Sequence, residues 1–248
     1  MLFQALPTGA TLAYDVFGDG EPALLVHGWL GSPDSDVREV RDWLTAHGYR
    51  TLGPTRRGYG KSLPKPRDYP LDFYHRDALD LLALMDALNW PRGHLLGFSD
   101  GGETALIMAG LAPERFKTCF VWGAIGYYGP DMRAAAQAVF PGSWMTEDEK
   151  ARNGITNPDV YVLQWATAVK RMIDLGGDVS LSLAPQMDLP VVMMLGAEDR
   201  LNPAPYAQKL VDAMPDGRLI VVPGRHACHT EQPDAFYAAV RGLHGANR

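Results

Sequence analysis

Gly97-Phe98-Ser99-Asp100-Gly101-Gly102 stands where one sequence pattern gives way to another. The residues before it, 94–98, read as a short buried strand; those after it, 101–111, read as a helix ended by Ala112-Pro113. A turn this sharp holds its central residue in a strained backbone state, and flanking glycines let strand and helix approach closely. Ser99 is then presented clear of the sheet, with a helix N-terminus behind it that favours developing negative charge. The same letters could serve a serine that only caps the helix. What lies elsewhere in the chain decides for a nucleophile.

Outward from this turn, short apolar strands alternate with amphipathic helices. Strands are expected at 2–6, 11–16, 23–26, 49–52, 94–98, 117–123, 191–195 and 219–222. Helices are expected at 36–47, 71–88, 101–111, 205–214 and 233–243. In the second, Ala78, Leu81, Leu82, Met85 and Leu88 share one face. Such repetition implies an α/β fold, a mostly parallel sheet with helices on both faces. From 125 to 188 the strands lapse and helices are expected at 131–140, 146–152 and 159–175, the last stopped by Gly176-Gly177. The expected organisation is a core of 1–124 and 189–248, with a small helical cap, 125–188, inserted between two late strands.

The 248 residues carry a net charge of -6 with 21% charged residues, and no stretch carries five or six like charges. An acidic chain without a basic patch is a poor partner for nucleic acid or an anionic membrane. Met1 to Thr8 lack the pattern of a secretory signal, and the apolar run 23–26 is cut short by His27 and Gly28. Cys119 and Cys228 cannot form a disulfide framework and read as reduced thiols. A cytoplasmic location is expected.

A serine hydroxyl is a poor nucleophile without a base in reach and a group to orient that base. On a sheet carrying this type of serine turn, the acid and then the histidine follow along the chain, each beyond a late strand. Strand 191–195 runs into Gly196-Ala197-Glu198-Asp199, and strand 219–222 into Pro223-Gly224-Arg225-His226. Asp199 is expected to hold the imidazole of His226 in the tautomer that accepts the Ser99 proton. Glu198 competes as the acid but suits a solvated turn; Asp199 itself could instead form an Asx turn before Asn202-Pro203. His229 competes as the base and is assigned a capping or supporting role. No third ligand motif accompanies the His226/His229 pair, so no metal is expected.

Acyl transfer builds charge on a carbonyl oxygen that preorganised N–H donors must meet. The N–H of Asp100, just after the nucleophile, and that of Trp29, in His27-Gly28-Trp29-Leu30-Gly31, are the expected oxyanion donors. Asp100 is an unusual choice there, since an unpaired carboxylate stripped of water costs several kcal/mol. Either a cationic substrate, such as one with a free α-amino group beside the ester, or something internal, an arginine or a proton, must offset it. The residues leave both open.

Several stretches resemble the α/β-hydrolase superfamily, from about Thr11 to Ala124 and again from about Pro190 to Phe236. Within it, the chain is similar to the valacyclovirase, or biphenyl hydrolase-like, group. The likeness is carried by Leu30-Gly31-Ser32, Arg57-Gly58-Tyr59-Gly60-Lys61-Ser62, Arg67-Asp68-Tyr69-Pro70-Leu71-Asp72-Phe73 and Arg76-Asp77-Ala78, by the Ser99 turn, and by Val121-Trp122-Gly123-Ala124. One departure is Thr55-Arg56-Arg57, where an aspartate commonly precedes the RGYG element. The resemblance implies hydrolysis of α-amino-acid esters, with Asp100 as the ammonium partner and Trp29 as an oxyanion contributor. Trp144, Tyr161 and Trp165 are expected as an aromatic wall of the substrate pocket, at least one of them serving simple packing.

The expected activity is therefore ester hydrolysis through an acyl-enzyme on Ser99, on a small-molecule substrate and without a cofactor. A generic carboxylesterase, a C–C bond hydrolase or a perhydrolase could run on the same three residues, and a weakly catalytic ligand receptor could keep the fold. Dehalogenase-type displacement would need a carboxylate at Ser99.

Overall fold

Four strand segments are so apolar that only burial on both faces suits them, and these form the centre of the sheet. The computed structural model describes residues 1–245. The strands are β1 Leu2–Ala5, β2 Thr11–Phe17, β3 Glu21–Val26, β4 Tyr49–Pro54, β5 Gly93–Phe98, β6 Phe116–Trp122, β7 Val191–Gly196 and β8 Gly217–Val222. They lie in the order β1-β2-β4-β3-β5-β6-β7-β8. β1 and β4 pair antiparallel to β2, and every later pairing is parallel. All eight expected strands form, with ends shifted by a residue or two.

Alternate side chains of each central strand enter different cores. Leu24 and Val26 of β3 pack with α2 (Phe73–Ala87) and α3 (Asp100–Leu111). Ala23 and Leu25 pack on the opposite face with α1 (Arg38–Ala46) and Phe236 and Val240 of α9 (Pro233–Gly245). Of the expected stripe of α2, Ala78, Leu81 and Met85 are buried, Leu82 and Leu88 are only partly so, and Leu84, outside the expected set, is buried with them. Truncating Leu81 to alanine would cost about 2–5 kcal/mol in transfer and cavity terms.

Between β6 and β7 the chain forms α4 (Met132–Ala138), α5 (Glu147–Asn153) and α6 (Pro158–Asp174) and no strand. The last two helices are locally specified. Thr146 and Glu149 make a reciprocal capping box on α5, and Asn157 caps α6 ahead of Pro158 at its first turn. Gly176 and Gly177 both take positive φ, and the Gly177 N–H returns to Met172 O at 2.8 Å, ending α6. After β7 come α7 (Ala204–Val211) and, beyond β8, the short α8 (Cys228–Glu231), which was not expected from the sequence. No helix of the described residues is long and apolar enough to cross a membrane.

β4 lies on one side of β3 and β5 on the other, so the chain reverses direction across the sheet between β3 and β5. A crevice opens beyond the C-terminal ends of strands at such a point. The Ser99 turn and the 27–31 loop sit at that crevice.

Candidate active site

Ser99 joins β5 to α3 with φ 52° and ψ −123°, a conformation L-residues rarely hold. The surrounding chain enforces it. The Ser99 N–H donates to Trp122 O at 2.9 Å, and its carbonyl accepts from Gly102 N at 2.7 Å and Glu103 N at 3.0 Å. Glycine is obligatory around the turn: a Cβ at Gly97 would meet Gly101 O at 2.4 Å, and one at Gly101 would meet His27 O at 2.3 Å.

His226 Nε2 lies 2.9 Å from Ser99 Oγ, and its Nδ1 lies 2.8 Å from Asp199 Oδ2. Asp199 is buried and its other oxygen accepts from Leu201 N at 2.9 Å and Asn202 N at 3.2 Å. Both readings of this residue therefore hold together: one oxygen closes an Asx turn and the other meets the imidazole. Burial pushes the Asp199 carboxyl up, but the bonds from His226, Asn202 and Leu201 outweigh it and leave it below its ordinary value. Asn202, marked by no motif of its own, sets its Nδ2 3.1 Å from both Asp199 Oδ2 and His226 Nδ1. Glu198 is exposed in the turn. His229 faces away from Ser99; its Nδ1 accepts from Trp122 Nε1 at 2.9 Å and its Nε2 donates to Asp36 O at 3.0 Å. It bridges two core segments rather than capping a helix. The nitrogens of both histidines are thus engaged by protein, and among the described residues no group of three His, Cys, Asp or Glu side chains could hold a metal.

The 27–31 loop is held from below and from the side. Asp36 accepts from Gly28 N at 2.6 Å and Ser32 N at 3.0 Å, and Gly31 N returns to Gly28 O at 3.2 Å. Leu30 takes φ 62°, the left-handed value that the third residue of a type II turn needs. A Cβ on Gly28 would stand 3.3 Å from Ser99 Cβ, so the backbone leading to Trp29 runs against the serine. Asn153, at the end of α5, donates to Leu30 O at 3.0 Å and accepts from Gly60 N at 2.9 Å.

Asp100 points into the pocket and is 4% exposed. Tyr74 donates to its Oδ1 at 2.7 Å and Trp165 Nε1 to its Oδ2 at 3.2 Å. Burial raises its pKa above the ordinary value, opposed by the fields of Arg56 and Arg67 and by the Tyr74 bond. Those arginines belong to a buried network. Arg56 and Arg67 share Asp77, at 3.1 and 2.7 Å, and Arg57 pairs with Asp80 at 2.7 Å. At the Thr55-Arg56-Arg57 departure both arginines therefore turn inward onto aspartates of α2.

The cavity beside Ser99 has a volume of about 30 Å³, room for roughly one water molecule. Asp100, Glu103, Tyr128, Met132, Trp165 and His226 are among its walls. Of the expected aromatic wall, only Trp165 lines it. Tyr161 and Trp144 instead pack on Trp29, with ring centroids 6.2 and 5.5 Å away, because Trp29 itself stacks on Trp165 at 4.7 Å. The Trp29 indole N–H is taken by Tyr69 at 2.7 Å, so its ring forms a layer behind the pocket. Glu103 was not expected here. It accepts from Ile125 N at 2.9 Å and Gly126 N at 3.0 Å, and burial raises its pKa to about 8. Its signal was present, as a carboxylate in the otherwise apolar run Glu103-Thr104-Ala105-Leu106-Ile107-Met108.

A serine on a strained strand-to-helix turn, within reach of a carboxylate-bound histidine at the switch point of a parallel sheet, defines the serine-hydrolase class of site. The chain belongs to the alpha/beta hydrolase family, whose model matches residues 23–239. It is similar to the serine hydrolase BPHL of Mus musculus, 32% identical over 235 residues that span 92% of this chain and 81% of that one. Solved structures with the same fold include a meta-cleavage product hydrolase from Pseudomonas fluorescens IP01, with TM-score 0.77, 20% identity, and 100% and 98% of the two chains covered. An esterase from Exiguobacterium antarcticum matches at TM-score 0.74 and 19% identity, over 97% and 98% of the chains. The protein is an α/β-hydrolase enzyme.

Proposed function

We propose that the enzyme hydrolyses carboxylic esters, preferring esters of α-amino acids, through an acyl-enzyme on Ser99. His226 takes the Ser99 proton as the hydroxyl attacks the ester carbonyl, and Asp199 holds the imidazole and stabilises the imidazolium. The N–H groups of Asp100 and Trp29 meet the developing oxyanion. His226 then returns the proton to the departing alkoxide. In the second half it activates a water that releases the acid from Ser99. The α-ammonium sits against Asp100, and the helices of 125–188 act as a cap over the site.

One observation carries the amino-acid preference: the Asp100 carboxyl is buried beside Ser99 and holds only neutral hydrogen-bond donors. A cation close to the scissile carbonyl is the complement it lacks. Similarity to BPHL, a serine hydrolase by name, supports hydrolysis through a nucleophilic serine. The test compares kcat/KM for L-phenylalanine benzyl ester and its N-acetyl derivative, with Ser99→Ala as the blank. Losing one partner of a desolvated charge pair costs about 2–5 kcal/mol, hence roughly thirty-fold to several thousand-fold. A preference of that size for the free amine is expected. Equal rates, both abolished in Ser99→Ala, would reduce the enzyme to a carboxylesterase without amine recognition.

A further inference from the structure

Gly28 O accepts side-chain donors as well as the Gly31 N–H. Arg56 Nη2 donates to it at 2.9 Å, and His27 Nδ1 donates at 2.8 Å. The tautomer of His27 follows from its other nitrogen, which accepts the Arg56 N–H at 3.0 Å. Burial, reinforced by Arg56, holds the His27 pKa well below its ordinary value, so the ring is neutral. Arg56 is itself fully buried, and its other arm donates to Asp77 at 3.1 Å. A charge placed there at such desolvation cost, and aimed at a main-chain carbonyl, calls for a reason.

The peptide that Gly28 O belongs to supplies one. A trans peptide is planar, so the N–H of Trp29 points opposite to the Gly28 carbonyl. Fixing the carbonyl from one side therefore fixes the direction of that N–H on the other. Donors on a carbonyl also polarise its amide, and a cationic donor in a dry interior does so most. Gly28 lies against Ser99, as its missing Cβ shows.

We propose that Arg56 is a positioning residue of the oxyanion site: its guanidinium aims and polarises the Gly28–Trp29 peptide, strengthening the Trp29 N–H as donor to the transition state. This rests on the ester-hydrolase reading above. Its effect belongs to the transition state, so it acts on kcat and leaves ground-state binding alone. Arg67 is the natural comparison. It meets the same Asp77, at 2.7 Å on both arms, and is equally enclosed, but its main-chain partner is Arg57 O.

The experiment uses p-nitrophenyl acetate hydrolysis and a phenylboronic acid as a probe of tetrahedral oxyanion binding, in Arg56→Lys and Arg67→Lys. Loss of a whole oxyanion donor costs about 10²–10³ in kcat, so a weakened donor should cost roughly ten- to a hundred-fold. In Arg56→Lys we expect that loss in kcat, KM within about twofold, and boronate affinity reduced in proportion to kcat. Arg67→Lys should lower Tm yet keep kcat and boronate affinity near wild type. Equal kcat losses in the two variants, or unchanged boronate affinity in Arg56→Lys, would overturn the proposal. Should Arg56→Lys not fold, His27→Asn removes the second donor on the same carbonyl and carries the same expectation. Residual hydrolysis in Ser99→Ala would instead refute the ester-hydrolase reading, independently of Arg56.

Discussion

Tyr74 donates its hydroxyl to Asp100 Oδ1 at 2.7 Å and receives the hydroxyl of Tyr128 at 2.9 Å. The two tyrosines form a directional chain that ends on the carboxylate. Both phenols are buried, and burial lifts their pKa values well above the ordinary range, so they remain donors. Two neutral donors in series thus meet Asp100 without bringing a positive charge to it.

Asp100→Asn should flatten the preference for a free amine, by roughly thirty-fold or more, while the N-acetyl ester is hydrolysed nearly as before. In the wild type the preference should fade as pH falls through the raised Asp100 pKa, since only the charged form attracts ammonium. Taking the ratio of the two esters cancels the titration of His226. A preference that persists in Asp100→Asn would assign the amine to another group.

Glu103 makes stability depend on pH in a direction opposite to most carboxylates. Its folded pKa of about 8 lies above the ordinary 4.5, so the folded state binds the extra proton across that interval. Stability is therefore fully present below the ordinary value and is lost as pH rises through about 8, with a slope of up to about 1.4 kcal/mol per pH unit. Glu103→Gln can still accept from Ile125 and Gly126, and should remove this slope. Urea unfolding of both proteins from pH 5 to about 8 reads it.

Ser99→Gly should be more stable than Ser99→Ala, although both are inactive. Backbone strain at a residue such as Ser99 is worth about 1–3 kcal/mol, and glycine relieves it while giving back about 0.5–1 kcal/mol of chain entropy. The net gain of about 1 kcal/mol corresponds to a Tm rise of roughly 2–4 °C, readable by calorimetry. Equal Tm values for the two variants would mean that the turn stores no strain.

Asn202→Ala leaves the Asx turn but removes the amide that touches both Asp199 and His226. Steady-state kinetics should show kcat reduced about three- to ten-fold with KM unchanged, an orientation effect. The stability that Asp199 contributes above its ordinary pKa of 3.8, and loses as pH falls below it, should shrink as well.

Period and punctuation made the sheet legible before any coordinates. The runs at Leu24, Leu95, Val121 and Met193 could only be central strands, and their C-terminal ends located Ser99, Asp199 and the 27–31 loop. His226 was legible because it follows the last strand. Contacts between segments distant in sequence were not. Nothing adjacent to Tyr74 or Arg56 marks them as neighbours of Asp100 and Gly28, since side-chain direction is set by packing that no local pattern encodes. Trp144 and Tyr161 were misplaced for the same reason: helical spacing gives a face but not what the face meets. The short helix α8 escaped notice because four residues carry no period.

Asn153 ties the tip of one inserted helix to Leu30 and Gly60, two loops of the sheet. The 125–188 segment is consequently not a detachable part. A chimera that exchanged it for the insert of a relative would also lose the amide that joins Leu30 to Gly60, leaving the turn that carries Trp29 to its bonds with Asp36, His27 and Arg56. Tyr128, Met132 and Trp165 of the same segment line the pocket, so exchanging it would alter the support of the Leu30 turn together with the wall beside Ser99.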